Sequence, residues 1–392
     1  MIDETHRIDR IRLWEVRLPF KVPFRISTGC CRERSSLIVE LESRGVTGYG
    51  ESAPDEEPFY SHETLASARV LLQTLLLPRI SRKTVQSIEE MNRILNAGVR
   101  GNPMARAGPE QAYWDLVARR NGLPLRELIR QQLRSLRVPE KFLLARNFVE
   151  SGLAIGIPED EDLRTLARWI EGYLKEGYRR VKIKIRPGWD TRPLEVARSV
   201  LPLDFPLSSD ANGAFEYPEH LPIFKAMDRL GCLFYEQPLD PDDLLDHANL
   251  AREVRTPICL DESLKSARVA RQALDLKVLR VWNLKIQRVG GLLEALRIYA
   301  IAVEKEIRLW VGTMPETAVG TLAAIALGTF SGFYYPSDVE PSRRWYEPGI
   351  DLADIEMDQE GRISLADGFG IGIEIDRKRL EKFGKVIWRS GA

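Results

Sequence analysis

An α/β architecture is what this sequence predicts, with a closed parallel barrel as its larger part and an α+β domain ahead of it. Three observations carry that reading: the length of the chain, the strand and helix alternation beyond residue 140, and the acidic residues that close successive strands.

At 392 residues the chain is too long for one small module, and an allowance of about 100 to 200 residues per domain gives it two. Lys plus Arg and Asp plus Glu each number 57. No excess of either sign draws the chain to nucleic acid or to an anionic membrane, so a small molecule is the expected partner. Residues 1–10 are charged from the third position and lack an apolar run, and no stretch of about 18 uninterrupted apolar residues follows. A soluble, cytoplasmic protein is expected. The four cysteines are scattered: Cys30 and Cys31 are adjacent, and Cys232 and Cys259 stand alone in apolar runs. Neither a disulfide framework nor a zinc site is indicated.

From Arg10 to Leu41 the residues are β-branched and apolar, broken at Ser27-Thr28-Gly29 and resumed at Ser36. This pattern predicts an antiparallel sheet. Residues 62–134 carry helical spacing, clearest from Met104 to Arg120, where Asn121-Gly122 ends the run. Beyond about residue 140, eight short apolar runs predict strands: Phe142 to Leu144, Val181 to Ile185, Pro206 to Asp210, Leu233 to Glu236, Ile258 to Asp261, Val278 to Ile286, Ile307 to Val311 and Phe333 to Tyr335. Helix-length segments such as 161–176 and 292–304 separate most of them. That alternation argues for a parallel barrel, with a doubly wound open sheet as the alternative. The tail from Trp345 onward is expected to fold back on the N-terminal domain.

Asp210, Glu236 and Asp261 each end a predicted strand, about 25 residues apart. In a parallel barrel all such ends face one rim, so three carboxylates would crowd together there. A hard divalent cation, Mg²⁺ or Mn²⁺, relieves that crowding. Helix caps or loop ion pairs are the plainer account of any one of the three. Lysines bracket the acids: Lys182 and Lys184 precede them and Lys285 follows. Alternation along the strand sends Lys182 and Lys184 to one side and Val181, Ile183 and Ile185 to the other. Inside a barrel, a second ammonium and a metal would favour the neutral amine, a competent general base; on a solvent edge the two lysines would be mere decoration.

Residues 181–190 (VKIKIRPGWD), Asp210-Ala211-Asn212, Glu236-Gln237-Pro238, Leu260-Asp261-Glu262-Ser263 and Asn283-Leu284-Lys285 through Gly290-Gly291 resemble the muconate-lactonizing subgroup of the enolase superfamily. Within it they most resemble o-succinylbenzoate synthases and N-succinylamino acid racemases. Gly48 to Glu51, Trp114 to Leu116 and Gly370 to Gly372 extend the likeness to nearly the whole chain. The resemblance implies a modified TIM barrel, (β/α)7β, over residues 139–344. An α+β capping domain would comprise residues 1–138, with 345–392 returning to it. It implies a homo-oligomer and a small carboxylate substrate. Asp210, Glu236 and Asp261 would hold Mg²⁺ (Mn²⁺ possible), Lys184 would be the base, Lys285 the lysine on the opposite face and Lys182 their electrostatic neighbour. Asn212 and Glu262 would support them. Candidate pocket residues are Ser27, Thr28, Ser52, Asn283, Met314, Glu316 and Asp338, with Phe59 and Tyr60 on the capping loops.

The reaction implied is removal of the α-proton of a carboxylate through an enediolate. Its outcome is either dehydration to o-succinylbenzoate, on the route to menaquinone, or racemisation of an N-acylamino acid. Dipeptide epimerisation and muconate cycloisomerase-like activity are less favoured. The mandelate-racemase branch places a His-Asp base on late strands; His6, His62, His220 and His247 fall elsewhere, and His247 is expected in a surface or capping role. Glu340 replaces a small hydroxyl residue, and Pro315 stiffens the seventh-strand segment. An ion pair from Glu340 to Arg343 or Arg344 is favoured over contact with a cationic substrate group.

Overall fold

The computed structural model describes residues 2–202 and 204–390, so Met1, Leu203 and the last two residues of the 345–392 segment lie outside it. Alternation builds the first sheet as expected. Strand β1 (Arg10–Arg25) buries Ile11, Leu13, Val16 and Leu18, and pairs antiparallel with β2 (Cys30–Ser43). Strand β3 (Val46–Ser52) continues the meander. The sheet packs on helix α1 (Pro103–Arg120), which starts with proline in its first turn, where no amide is lost. Gly50 permits that approach, since a Cβ there would lie 2.1 Å from the Gly108 carbonyl oxygen.

Seven parallel strands follow: β4 (Gly152–Ile155), β5 (Arg180–Lys184), β6 (Leu207–Asp210), β7 (Tyr235–Glu236), β8 (Ile258–Leu260), β9 (Val281–Leu284) and β10 (Arg308–Val311). They neighbour one another in chain order. Helices lie between them, among them α2 (Leu163–Leu174), α3 (Thr191–Val200), α4 (Leu221–Met227), α5 (Leu244–Glu253), α6 (Ala267–Asp275) and α7 (Leu292–Glu304); α8 (Ala318–Gly328) follows β10. This is a modified TIM barrel with an N-terminal capping domain. The final strand β11 (Gly384–Arg389) returns to pair with β1, with Val386 opposite Trp14.

Two strand expectations need correction. Residues 142–144 are not the first barrel strand: Glu140–Phe142 is a 3-10 turn entered from Pro139, and Leu144 is exposed. A three-residue apolar run carries too little periodicity to separate turn from strand. The first strand is β4, and Phe148–Glu150 ahead of it pairs antiparallel with Arg362–Ser364. Residues 333–335 form no regular strand either. The irregular segment 333–338 nevertheless closes the ring and removes the open-sheet alternative. The Tyr334 and Asp338 amides donate to Leu309 and Val311 on β10, and the Gly152 amide of β4 donates to Ser337. Among the described residues no helix is long and apolar enough to cross a membrane.

Candidate active site

Register brings the charges together. Lys184 on β5 stands opposite Asp210 on β6, which stands opposite Glu236 on β7. Asp261 directly follows β8 and Lys285 directly follows β9, so all five groups gather at the C-terminal rim, where barrel loops build sites. Lys182, Lys184, Lys285, Asp338, Glu340 and Met314 line one cavity of about 60 Å³, walled by Phe24, Phe59, Tyr60 and Trp345.

Each lysine is buried against acids. Lys182 Nζ lies 3.2 Å from Asp210 Oδ2, 2.9 Å from Glu236 Oε2 and 2.5 Å from Asp338 Oδ2. Lys184 Nζ donates to Asp210 Oδ2 at 2.6 Å and to Asn212 Oδ1 at 2.9 Å. Lys285 Nζ donates to Asp261 Oδ2 at 2.9 Å and to the Tyr60 hydroxyl at 3.1 Å. Burial opposes the charged form of Lys182, yet Asp338, Glu236 and Asp210 hold its pKa well above the ordinary value. For Lys285 burial is likewise outweighed by Asp261. Carboxylates are the nearest neighbours of both amines, and they favour the charged form.

The acids divide into two kinds. Despite burial, Asp210 is held below the usual range by Lys184 and Lys182, and Asp261 by Lys285 and Arg288. Glu236 is pushed up to about 7 by burial and by Asp210, and Glu262 to about 8 by burial and by Asp261. Asn212 Nδ2 donates to Glu262 Oε1 at 2.8 Å, and Asn283 Nδ2 to Glu236 Oε1 at 2.7 Å. Glu262 Oε2 is buried without a hydrogen-bond partner among the described residues, while Glu236 Oε2 faces the Lys182 ammonium at 2.9 Å.

Several expected pocket residues serve other ends, and these are corrections. Ser27 Oγ donates to the Ile185 carbonyl at 2.8 Å, fastening the first capping loop to the end of β5. Neither it nor Thr28 is among the cavity's lining residues. Ser52 is buried under α1, donating to the Ala105 carbonyl and accepting from the Gly108 amide. Asn283 braces Glu236 and does not line the cavity. Glu316 is also off the cavity wall, buried near Glu51, and burial raises its pKa well above the usual value. His247, expected outside the pocket in a surface or capping role, is fully buried and not at the surface, and its Nε2 caps the turn beyond Glu236 by accepting the Leu239 amide at 3.3 Å. Glu340 makes no ion pair with Arg343 or Arg344: its Oε1 accepts the Ala154 amide at 2.9 Å. Arg343 turns to Glu176 and Glu356, while Arg344 stacks on Tyr173 and Trp345.

Two arginines at the site escaped the sequence reading. Arg180 is completely buried, pairs with Asp338 and lies 4.5 Å over the Trp310 ring. The parity argument that placed Lys182 and Lys184 on one face extends to residue 180 and would have found it. Arg288 pairs with Asp261 from the turn after Lys285, and no local pattern marks it.

A rim of acids and lysines on a parallel barrel under an α+β cap defines an acid–base enzyme whose donors are all oxygen and amine. Residues 165–379 match the family described as enolase C-terminal domain-like. Residues 9–130 match the mandelate racemase / muconate lactonizing enzyme N-terminal domain. The chain is 38% identical to an o-succinylbenzoate synthase of Geobacillus stearothermophilus, over 98% of each chain. It is 40% identical to an N-succinylamino acid racemase of Thermus thermophilus, again over 98% of each. A solved enolase-superfamily member from Listeria innocua superposes with a TM-score of 0.87 at 32% identity, covering 98% of both chains. The chain belongs to the enolase superfamily, in the muconate-lactonizing group that holds the o-succinylbenzoate synthases and N-succinylamino acid racemases.

Membership implies a divalent metal. The donor chemistry fits one: the carboxylates of Asp210, Glu236 and Asp261 are all buried, and Asp210 and Asp261 press on Glu236 strongly enough to help raise it. Among the described residues, no three acidic, histidine or cysteine side chains form a ready metal-ligating group. The carboxylates are turned instead toward the ammonium groups of Lys182, Lys184 and Lys285.

Proposed function

We propose that this protein is an o-succinylbenzoate synthase, with Asp210, Glu236 and Asp261 holding Mg²⁺ or Mn²⁺ and Lys184 acting as the base. The observation that carries the reading is that Lys184 and Lys285, four strands apart in the sheet, line the same cavity at the acidic rim. When bound, the cation supplies positive charge beside the substrate carboxylate. Lys184, as the neutral amine, takes the α-proton, and the electron pair left behind becomes the enediolate. The Lys182 and Lys285 ammonium groups oppose the charge that gathers on its oxygens. Loss of hydroxide from the ring then completes the dehydration, so one proton and one hydroxide leave and the ring becomes aromatic.

The shared cavity also favours a second reading, N-acylamino acid racemase. There Lys184 and Lys285 serve the two faces of the α-carbon and exchange base and acid roles, and both become indispensable. We extend the proposal to the chain's organisation, with a cap over 1–138, a barrel over 139–344 and a return over 345–392. Asn212 and Glu262 brace the ligands and Met314 and Asp338 border the substrate.

The test is incubation with Mg²⁺ and either the cyclohexadiene precursor of o-succinylbenzoate or N-succinyl amino acids. Ultraviolet absorbance follows the first reaction and optical rotation the second. Chelation with EDTA is expected to abolish turnover and added Mg²⁺ to restore it. Turnover that survives chelation would sink the metal assignment.

A further inference from the structure

The two lysines differ in what holds them. Every hydrogen-bond acceptor of the Lys184 amine belongs to the barrel: Asp210 Oδ2, and Asn212 Oδ1, itself tied to Glu262. Ser27 of the capping domain touches the backbone of Ile185 and not that amine. Lys285 has one barrel acceptor, Asp261, and takes its second from the cap. Its Nζ donates to the Tyr60 hydroxyl and lies 4.7 Å from the centre of the Tyr60 ring. The same hydroxyl donates to Asp261 Oδ2 at 3.3 Å, closing a triangle of phenol, ammonium and carboxylate. An ammonium has three N–H donors. Asp261 and Tyr60 engage two of them and leave one for the cavity that Lys285 lines.

Tyr60 is fixed in place by its own segment. Ahead of it, the Ala53 amide donates to Gln287 Oε1, while Gln287 Nε2 donates to the Glu51 carbonyl. This ties the end of β3 to a residue just beyond Lys285. Behind it, Glu63 accepts the Met104 and Ala105 amides at the start of α1. Beside it, the Phe59 ring fits only because residue 29 is glycine, where a Cβ would come within 2.4 Å of the ring. The cavity of about 60 Å³ is well below the roughly 300 Å³ of ordinary small-molecule sites. The contacts ahead of and behind Tyr60 hold its segment against Lys285.

We propose that Tyr60 is a positioning residue for Lys285, through which the capping domain sets one lysine in place while the barrel alone sets the other. The proposal rests on the reading that both lysines exchange protons with the α-carbon. Its consequence is asymmetric: chemistry on the Lys285 face depends on the cap, and chemistry on the Lys184 face does not. A hydrogen bond to a charged group joined to a cation–π contact is large enough for its loss to be read as a rate change of about tenfold.

The experiment uses the full Mg²⁺-loaded protein and two variants, Tyr60→Phe, which keeps the ring, and Tyr60→Leu, which keeps neither ring nor hydroxyl. Amine-reactive labelling of the resting protein, read peptide by peptide by mass spectrometry, reports how firmly each lysine is held. Tyr60→Leu is expected to raise labelling of Lys285 about tenfold relative to Lys184, with Tyr60→Phe in between. Exchange of the α-proton in D₂O is then followed for each enantiomer of an N-succinyl amino acid. The enantiomer whose exchange Lys285→Ala abolishes is expected to lose about tenfold in kcat with KM little changed in Tyr60→Leu. The other enantiomer should stay within about twofold of wild type. Equal slowing of both enantiomers, a change in KM alone, or unaltered labelling of Lys285 would overturn the proposal. A wild-type protein that exchanges neither enantiomer removes the two-lysine reading itself, and the labelling then decides the positioning claim by itself.

Discussion

The Glu110 carboxylate, on a capping-domain helix, accepts the Leu292 amide at 2.8 Å across 182 residues of chain, at the start of a barrel helix. It accepts the Leu293 amide at 2.9 Å and Trp114 Nε1 at 2.8 Å as well. One carboxylate thus caps α7 and joins the cap to the barrel.

That joint is expected to be pH-sensitive. Burial pushes Glu110 up to about 7 from an ordinary 4.5, so its folded pKa is raised. The stabilisation linked to its proton is full below about 4.5 and is lost as pH rises through about 7. Glu110→Gln, which keeps an acceptor and cannot ionise, should gain on wild type across that window, by up to roughly 3 kcal/mol. Urea denaturation at pH 5 and pH 8 checks this; a gap between the two proteins that does not widen with pH would count against it.

Asp261→Asn is expected to abolish metal-dependent turnover, by about a thousandfold or more, because it removes a charge from the proposed cation's shell. The fold should remain, since Arg288 also donates to the Leu264 and Asn283 carbonyls. Stability should still fall by roughly 3 to 5 kcal/mol, with two buried cations left facing a neutral amide. Circular dichroism and turnover are measured together, and undiminished turnover refutes the assignment.

Lys285→Ala should abolish racemisation and leave some dehydration, because only racemisation needs a proton donor on the second face. Asp261 keeps Arg288 as partner, so the variant is expected to stay folded. Product formation from each substrate class separates the two effects, and equal loss of both reactions would contradict the division of roles.

Gly50→Ala is expected to cost about 3 kcal/mol or more, since a Cβ at residue 50 meets the Gly108 carbonyl on a helix whose neighbouring side chains are all buried. A shift in the urea midpoint reads it. A shift smaller than that of an ordinary surface substitution would show that sheet and helix can separate without penalty.

Much was legible from the residues alone. Alternation in β1 and β2, helical spacing up to Asn121, and acids at unit spacing on successive strands are all local signals, and each predicted its element. The short runs at 142–144 and 333–335 misled, because three apolar residues fit turn and strand equally well. Ring closure by 333–338 depends on backbone amides meeting two strand edges, which no residue pattern records.

The sequence by itself pointed to the barrel class and to which acids and lysines could form a rim, because strand parity and unit length are properties of consecutive residues; the family came from the resemblance of its motifs. Only the tertiary structure decided that carboxylates surround Lys182 and Lys285, that Ser52 and Asn283 brace other groups and leave the cavity wall to others, and that Tyr60 meets Lys285. Those outcomes depend on distances between residues remote in the chain, and Coulomb and hydrogen-bond energies are set by separation in space.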